Sequence, residues 1–215
     1  RLNWLAGKKA KEGTAYQTAT NYLALGSQLL GETGWDKHYE MAFALHKEQG
    51  ECQFLCGKFK NAEQFLAIAL AKAHSKFDKA NIYVIKLAQL SAQGQYYQAV
   101  ATTIEALQMF GLDVPPLDQN EALQQATADE IALYQENMIN REIDDLGDLP
   151  LMQNEDMKVC SQIIAIALDS VTILGVPDIL AFFTIKMLNL SIEYGLSEFT
   201  PFGYLCFAIV QSNDY

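Results

Sequence analysis

Apolar residues in this chain recur at every third or fourth position and almost never at every second one. Tyr16, Ala19, Leu23, Gly26 and Leu30 share one helical face. So do Ala62, Phe65 or Leu66, Ala69 and Ala73, and likewise Tyr96, Ala99, Val100, Ile104 and Leu107. That period fits the turn of an α-helix, whereas a half-buried strand alternates at a period of two. No sustained alternation and no Asn-Gly or Asp-Gly hairpin turn is present. With 13 Gly and 5 Pro in 215 residues, breakers are too sparse to cut the pattern short. The spacing predicts about ten helices, over 2–11, 14–30, 37–56, 59–75, 77–93, 96–110, 119–137, 155–174, 178–194 and 199–211. Gly31, Gly111, Gly175 and Gly195 fall where helices end, because glycine tolerates a left-handed cap. Asp118 and Asn154 are expected N-caps and Pro177 suits a first helical turn. The fold class is all-α.

The helices come in pairs, and the pairs repeat. Gly57-x-Phe59-x-x-Ala62 returns as Gly94-x-Tyr96-x-x-Ala99, 37 residues later, and a looser copy, Tyr16-x-x-Ala19, lies 43 residues before Phe59-x-x-Ala62. A small residue follows seven positions on in each copy: Gly26, Ala69, Ala106. Small side chains at fixed places let two helices approach closely while the aromatic wedges between turns. The unit resembles the tetratricopeptide repeat, a helix–turn–helix of about 34 residues. Gly7 and Gly50 match the small residue of that motif's first helix. The spacing is longer, though, the motif's first-helix tryptophan position reads Asn3, His46 and Tyr83, and its next leucine reads Ala6, Gln49 and Lys86. The expectation is one domain over 1–215: degenerate repeats over 1–111, an acidic connection over 112–154, and further helices over 155–215. Antiparallel helix pairs would stack into a right-handed solenoid.

Charge is unevenly placed. The chain carries a net −11, with +4 in residues 1–86, −15 in residues 87–215, and −11 concentrated in 112–157, where Arg141 is the lone base. So acidic a chain is poorly suited to nucleic acid or an anionic membrane, whose phosphates demand Lys and Arg. Hydrophobic residues make up 50% and charged residues 19%, enough apolar material to exclude disorder. Four Cys, three of them (Cys52, Cys160, Cys206) inside apolar helical patterns, do not make a disulfide scaffold. No signal-peptide stretch opens the chain, and the apolar region 159–192 is interrupted by Asp169, Gly175, Pro177, Asp178 and Lys186. A cytoplasmic location is expected. The chain begins within a helical pattern, which suggests a piece of something longer. The acidic block 112–157, broken by Pro115-Pro116 and by Gly147 to Pro150, is expected to project as an insertion and to be the most mobile internal part of the chain.

The Gly-Lys pairs Gly7-Lys8 and Gly57-Lys58 have no glycine five residues before them and no Ser/Thr after, so neither is a P-loop. No His-Arg-Asp or Asp-Phe-Gly tripeptide of a kinase occurs. Cys52 and Cys56 stand one turn apart with His46 before them, but zinc needs four ligands, so packing is the better reading. His38 and His46 have no partner in triad spacing and are read as interfacial or solvent-facing. Asp144, Asp145 and Asp148 do not follow the order of a calcium loop and are read as a solvated turn. Phe182, Phe183, Met187 and Tyr194 are core by helical spacing. No catalytic residue, cofactor site or metal site is assigned. The candidate interaction residues are Asp144, Asp145 and Asp148 on the acidic side and Lys8, Lys9 and Lys11 on the basic side.

Several stretches also look like landmarks of one family. Leu5-Ala6-Gly7-Lys8-Lys9-Ala10-Lys11 leads into Thr14-Ala15-Tyr16 and Ala19, followed by Leu107 to Pro115, then Leu146-Gly147-Asp148-Leu149-Pro150-Leu151-Met152, and finally Leu190-Ser191-Ile192-Glu193-Tyr194-Gly195. They resemble the repeat region of very large cyanobacterial signalling proteins. Those proteins join a serine/threonine kinase, a STAND-type ATPase, helical repeats, a GAF domain and a histidine kinase. The resemblance covers essentially the whole chain and none of that family's catalytic motifs. It implies a non-catalytic relay module that senses a signal and alters the adjacent ATPase, with the other domains of the same chain or a signalling protein as partners. A purely structural spacer and a small-molecule sensor built from 155–211 are the alternatives.

Overall fold

The computed structural model describes residues 1–31 and 33–212, with side chains through residue 209. Among these, eleven α-helices and one 3-10 helix form. They are α1 (Leu2–Glu12), α2 (Tyr16–Leu30), α3 (Gly34–Lys37), α4 (Tyr39–Leu55), α5 (Phe59–Lys72), α6 (Lys76–Ala92) and α7 (Tyr96–Gln108), then α8 (Asn120–Asn137), the 3-10 helix Ile143–Asp148, α9 (Glu155–Leu174), α10 (Pro177–Tyr194) and α11 (Thr200–Ser212). The protein is all-α, and the helices fall where the 3.6-residue period places them. The expected helix 37–56 is α4, and an unexpected single turn, α3, precedes it; the two are separated because His38 leaves helical geometry at φ −143° and ψ 50°. The chain forms two compact units, Arg1–Gln89 and Leu90–Tyr215, divided within α6.

In the first unit the repeat signature has a backbone form. Glycines at the expected turns, Gly57 and Gly94, have φ of +73° and +71°, and at the matching place of the first copy Thr14 holds φ +59°. Each left-handed residue reverses the chain so that the next amide reaches back five residues: Ala15 to Ala10, Lys58 to Gln53 and, at the head of the second unit, Gln95 to Leu90, all at 2.9 Å. The orphan carbonyls of each helix end are satisfied in this way. α1 and α2 pack antiparallel, as do α4 and α5, and α4 also lies against α2. Close approach explains the glycines of the first helices. A Cβ on Gly7 would meet Leu23 at 2.7 Å, and one on Gly50 would meet Leu66 at 2.6 Å. Ala19 and Ala62, the alanines of the signature, are fully buried. Phe43, Leu66, Ala69, Ile82 and Ile85 make one core cluster and Ala19, Leu23, Leu45 and Cys52 another. Each large apolar side chain so buried stabilises the fold by about 1.5–3 kcal/mol.

The second unit is built on α9 and α10. α7 lies on α9, and α10 packs against α8, α9 and α11. Asn154 caps α9, its side chain accepting the Met157 amide at 3.3 Å, and Pro177 opens α10. α9 is long and apolar enough to cross a membrane, but 56% of its apolar window is packed inside the protein. At the far end of α10, Gly195 takes φ +100°. A parallel bridge joins Leu151 to Leu196: the Leu196 amide donates to Pro150 at 2.7 Å and the Met152 amide to Leu196 at 2.8 Å. A Cβ on Gly195 would collide with the Pro150 carbonyl. Two sequence landmarks, Leu146–Met152 and Leu190–Gly195, therefore meet in one clasp.

The acidic block departs from expectation. α8 does not project; it packs along α10 with Leu123 and Thr127 buried. Beyond Leu123, much of its contact face is polar and hydrogen-bonded. Glu130 pairs with Lys186 at 2.7 Å, the buried Asn189 donates to Glu130 Oε2 at 2.9 Å, and Asn137 donates to Asn189 at 3.2 Å. Apolar periodicity is blind to such a face, so the charge block read as an insertion.

Candidate interaction site

α7 turns its buried face, including Ala99, Thr103 and Leu107, inward and leaves Tyr97, Ala101, Glu105 and Gln108 exposed. After the helix the chain folds back, and Pro116-Leu117-Asp118 stands opposite that stripe. Between the two walls runs a cleft of about 480 Å³ lined by Tyr97, Ala101, Ile104, Glu105, Gln108, Pro116, Leu117 and Asp118. Tyr97 is 61% exposed at its edge. Asp118 also borders a shallower hollow with Glu121. The expected N-cap role of Asp118 is not realised: α8 starts later, with Gln119 at its N-cap. In the sequence Tyr97 only follows Tyr96 of the repeat signature and carries no mark of its own. The i, i+4 stripe on α7 was readable, but the opposing wall depends on how the chain folds back.

The six expected interaction residues divide sharply. Asp144 and Asp145 are exposed on the 3-10 helix and Asp148 ends it. Asp145 is occupied in a reciprocal cap, accepting the Glu142 amide at 2.8 Å while Glu142 serves the other way. On the basic side, Lys9 is exposed and Lys8 lies over the Trp4 ring, its Nζ 5.2 Å from the centroid. Lys11 is turned inward, paired with the buried Glu48 and, at 2.8 Å, with Glu51. Burial opposes its charge, but the hydrogen bonds it donates to Glu48 and Glu51, together with their negative charges, outweigh burial and raise its pKa above the ordinary 10.5. Lys11 is therefore a structural cation of α1 and α4, not part of an open basic patch.

His46 is half-buried in an aromatic setting, 4.8 Å from Trp35 and 6.1 Å from Phe65 between ring centroids, with Nδ1 2.8 Å from the Ala42 carbonyl. Burial lowers its pKa below 6.5, against the raising effect of that carbonyl. His38 is exposed. His74 stacks on Tyr39 at 3.6 Å, and the Tyr39 hydroxyl accepts the His74 amide and donates to Asp78. These contacts tie the start of α4 to the α5–α6 turn. Cys52 is fully buried, and burial pushes its thiol up to about 12, so it stays protonated at neutral pH. Among the described residues no group of three or more His, Cys, Asp and Glu is placed to hold a metal.

The chain is 26% identical over 138 residues to Hybrid signal transduction histidine kinase G of Dictyostelium discoideum, a stretch taking in 60% of this chain. The chain spans 4% of the length of that kinase. No known family profile matches it, and no solved structure matches it. The likeness is to a stretch of a signal-transduction kinase.

Proposed function

We propose that this chain is a non-catalytic, helical interaction module of a multidomain signal-transduction kinase, coupling the occupancy of its surface to the catalytic domains. The observation that carries this reading is the similarity to a stretch of a much larger histidine kinase. The repeat-like helix pairs and an open apolar cleft supply the means of contact, since stacked helices recognise partners through exposed side-chain stripes rather than through reactive groups. The finer reading, on the sequence landmarks, is the repeat region that follows a STAND-type ATPase in a cytoplasmic protein with serine/threonine kinase, GAF and histidine kinase domains. In this reading the acidic turn Asp144, Asp145 and Asp148 faces a basic surface of a neighbouring domain.

The test is made in the full-length parent kinase. The segment is replaced by an unrelated helical spacer of similar span, and autophosphorylation is followed with and without stimulus. Basal activity should persist while the response to stimulus is lost. An undiminished response would leave only a spacer and end the relay reading.

A further inference from the structure

The exposed residues of α7 that line the cleft step by four, four and three, from Tyr97 through Ala101 and Glu105 to Gln108. They form one straight stripe, which rises about 16 Å over three turns. The opposite wall, Pro116-Leu117-Asp118, makes the stripe into a trough. Its apolar lining comes from Ala101, Ile104 and Leu117, and Ala101 offers only a methyl, so another backbone can come close. Tyr97 stands at one end, largely exposed. The rim is acidic: Glu105 in one wall, Asp118 at the lip and Glu121 in the adjoining hollow. No Lys or Arg is among the residues lining either hollow. Residues 87–215 hold 3 bases against 18 acids.

The geometry points to a partner's amphipathic basic helix as the occupant of this trough. Three turns of such a helix place apolar side chains at i, i+4 and i+7 on Ala101, Ile104 and Leu117, while flanking Lys or Arg side chains reach Glu105, Asp118 and Glu121. An acidic helix of the same shape would set like charges against the rim, and charge complementarity selects the basic one. This inference rests on the reading of the chain as an interaction module and names the chemistry of its partner.

A direct test uses the 215-residue chain and a fluorescein-labelled helical peptide of about 18 residues, with Leu on one face and Lys on the other, followed by anisotropy. Two controls carry Glu in place of Lys, or the same composition scrambled so that the Leu face is lost. The Lys peptide should bind at least about tenfold more tightly than either control, and its affinity should fall as salt rises from about 0.05 to 0.3 M. Filling the trough with Ala101→Trp, removing the ring with Tyr97→Ser, and neutralising the rim with the double variant E105Q/D118N should each weaken binding at least about fivefold, with helicity unchanged. Equal binding of the scrambled peptide would overturn the proposal. So would wild-type affinity in both Ala101→Trp and Tyr97→Ser, or equal weakening by Asp144, Asp145 and Asp148 changed to Asn, which would mean diffuse charge attraction. A negative peptide result leaves the stimulus response of the parent kinase to be judged by segment replacement, so the two readings fail separately.

Discussion

Thr14 carries the most instructive contrast in the molecule. Its φ of +59° matches the +73° and +71° of Gly57 and Gly94, yet threonine is β-branched and disfavours that region. The repeat keeps its turn there at the expense of local strain, because the reversal into α2 and the Ala15-to-Ala10 hydrogen bond depend on it. Replacing Thr14 with Gly should stabilise the fold by about 0.5–1 kcal/mol, the relief of left-handed strain less the entropy of glycine. Urea unfolding measures this, and a loss of stability would show that the Thr14 side chain contributes more than the strain removes. His46 supplies a pH-dependent counterpart. Its folded-state pKa lies below the ordinary 6.5, so the unfolded chain binds the proton more readily. Its contribution is complete above pH 6.5 and is lost as pH falls from there toward the folded pKa. Wild type should therefore lose more melting temperature than His46→Gln between pH 7 and about 5. Parallel pH profiles would remove His46 from the account.

At the scale of elements, the helices differ in how they are held. α5, α7 and α9 bury apolar stripes, whereas α8 is fastened to α10 through Glu130, Lys186, Asn189 and Asn137. A buried polar network is sustained only while every member is paired, since a lost partner leaves a desolvated group behind. α8 amides should accordingly exchange hydrogen as slowly as those of α10; rapid exchange over 120–137 would restore the projecting insertion. The clasp between Pro150–Met152 and Gly195-Leu196 is the other fastening. Gly195→Ala would press a methyl on the Pro150 carbonyl at a left-handed residue, costing about 1–3 kcal/mol. Faster exchange of the Met152 and Leu196 amides should accompany that loss. Unchanged exchange would mean the strand-like contact is incidental.

Over the whole molecule, charge and fold pull in opposite directions. The chain carries −11 overall, and residues 112–157 alone carry as much. Self-repulsion of that block opposes compaction, and screening relieves it as the Debye length falls from about 30 Å at 0.01 M salt to about 8 Å at 0.15 M. The melting temperature should rise across this range, and a fall would show that ion pairs such as Lys186–Glu130 outweigh the repulsion. What the sequence determined by itself was the local order. Periodicity located the helices, since 3.6-residue spacing is a property of each segment alone, and the Gly-x-aromatic-x-x-Ala signature located the turns at Gly57 and Gly94. Gly175, Asn154 and Pro177 marked helix ends because capping is likewise local. Tertiary structure decided the rest. Lys11 looks like a member of a surface cluster with Lys8 and Lys9 until α4 brings Glu48 and Glu51 to it from 37 and 40 residues away. Asp118 looks like a helix cap until the chain beyond α7 folds back and makes it the lip of a cleft. Asn189 reads as a mid-helix polar residue until α8 lies on it. In each case the partner that sets the role is distant in sequence, and neither period nor propensity records which distant faces will meet.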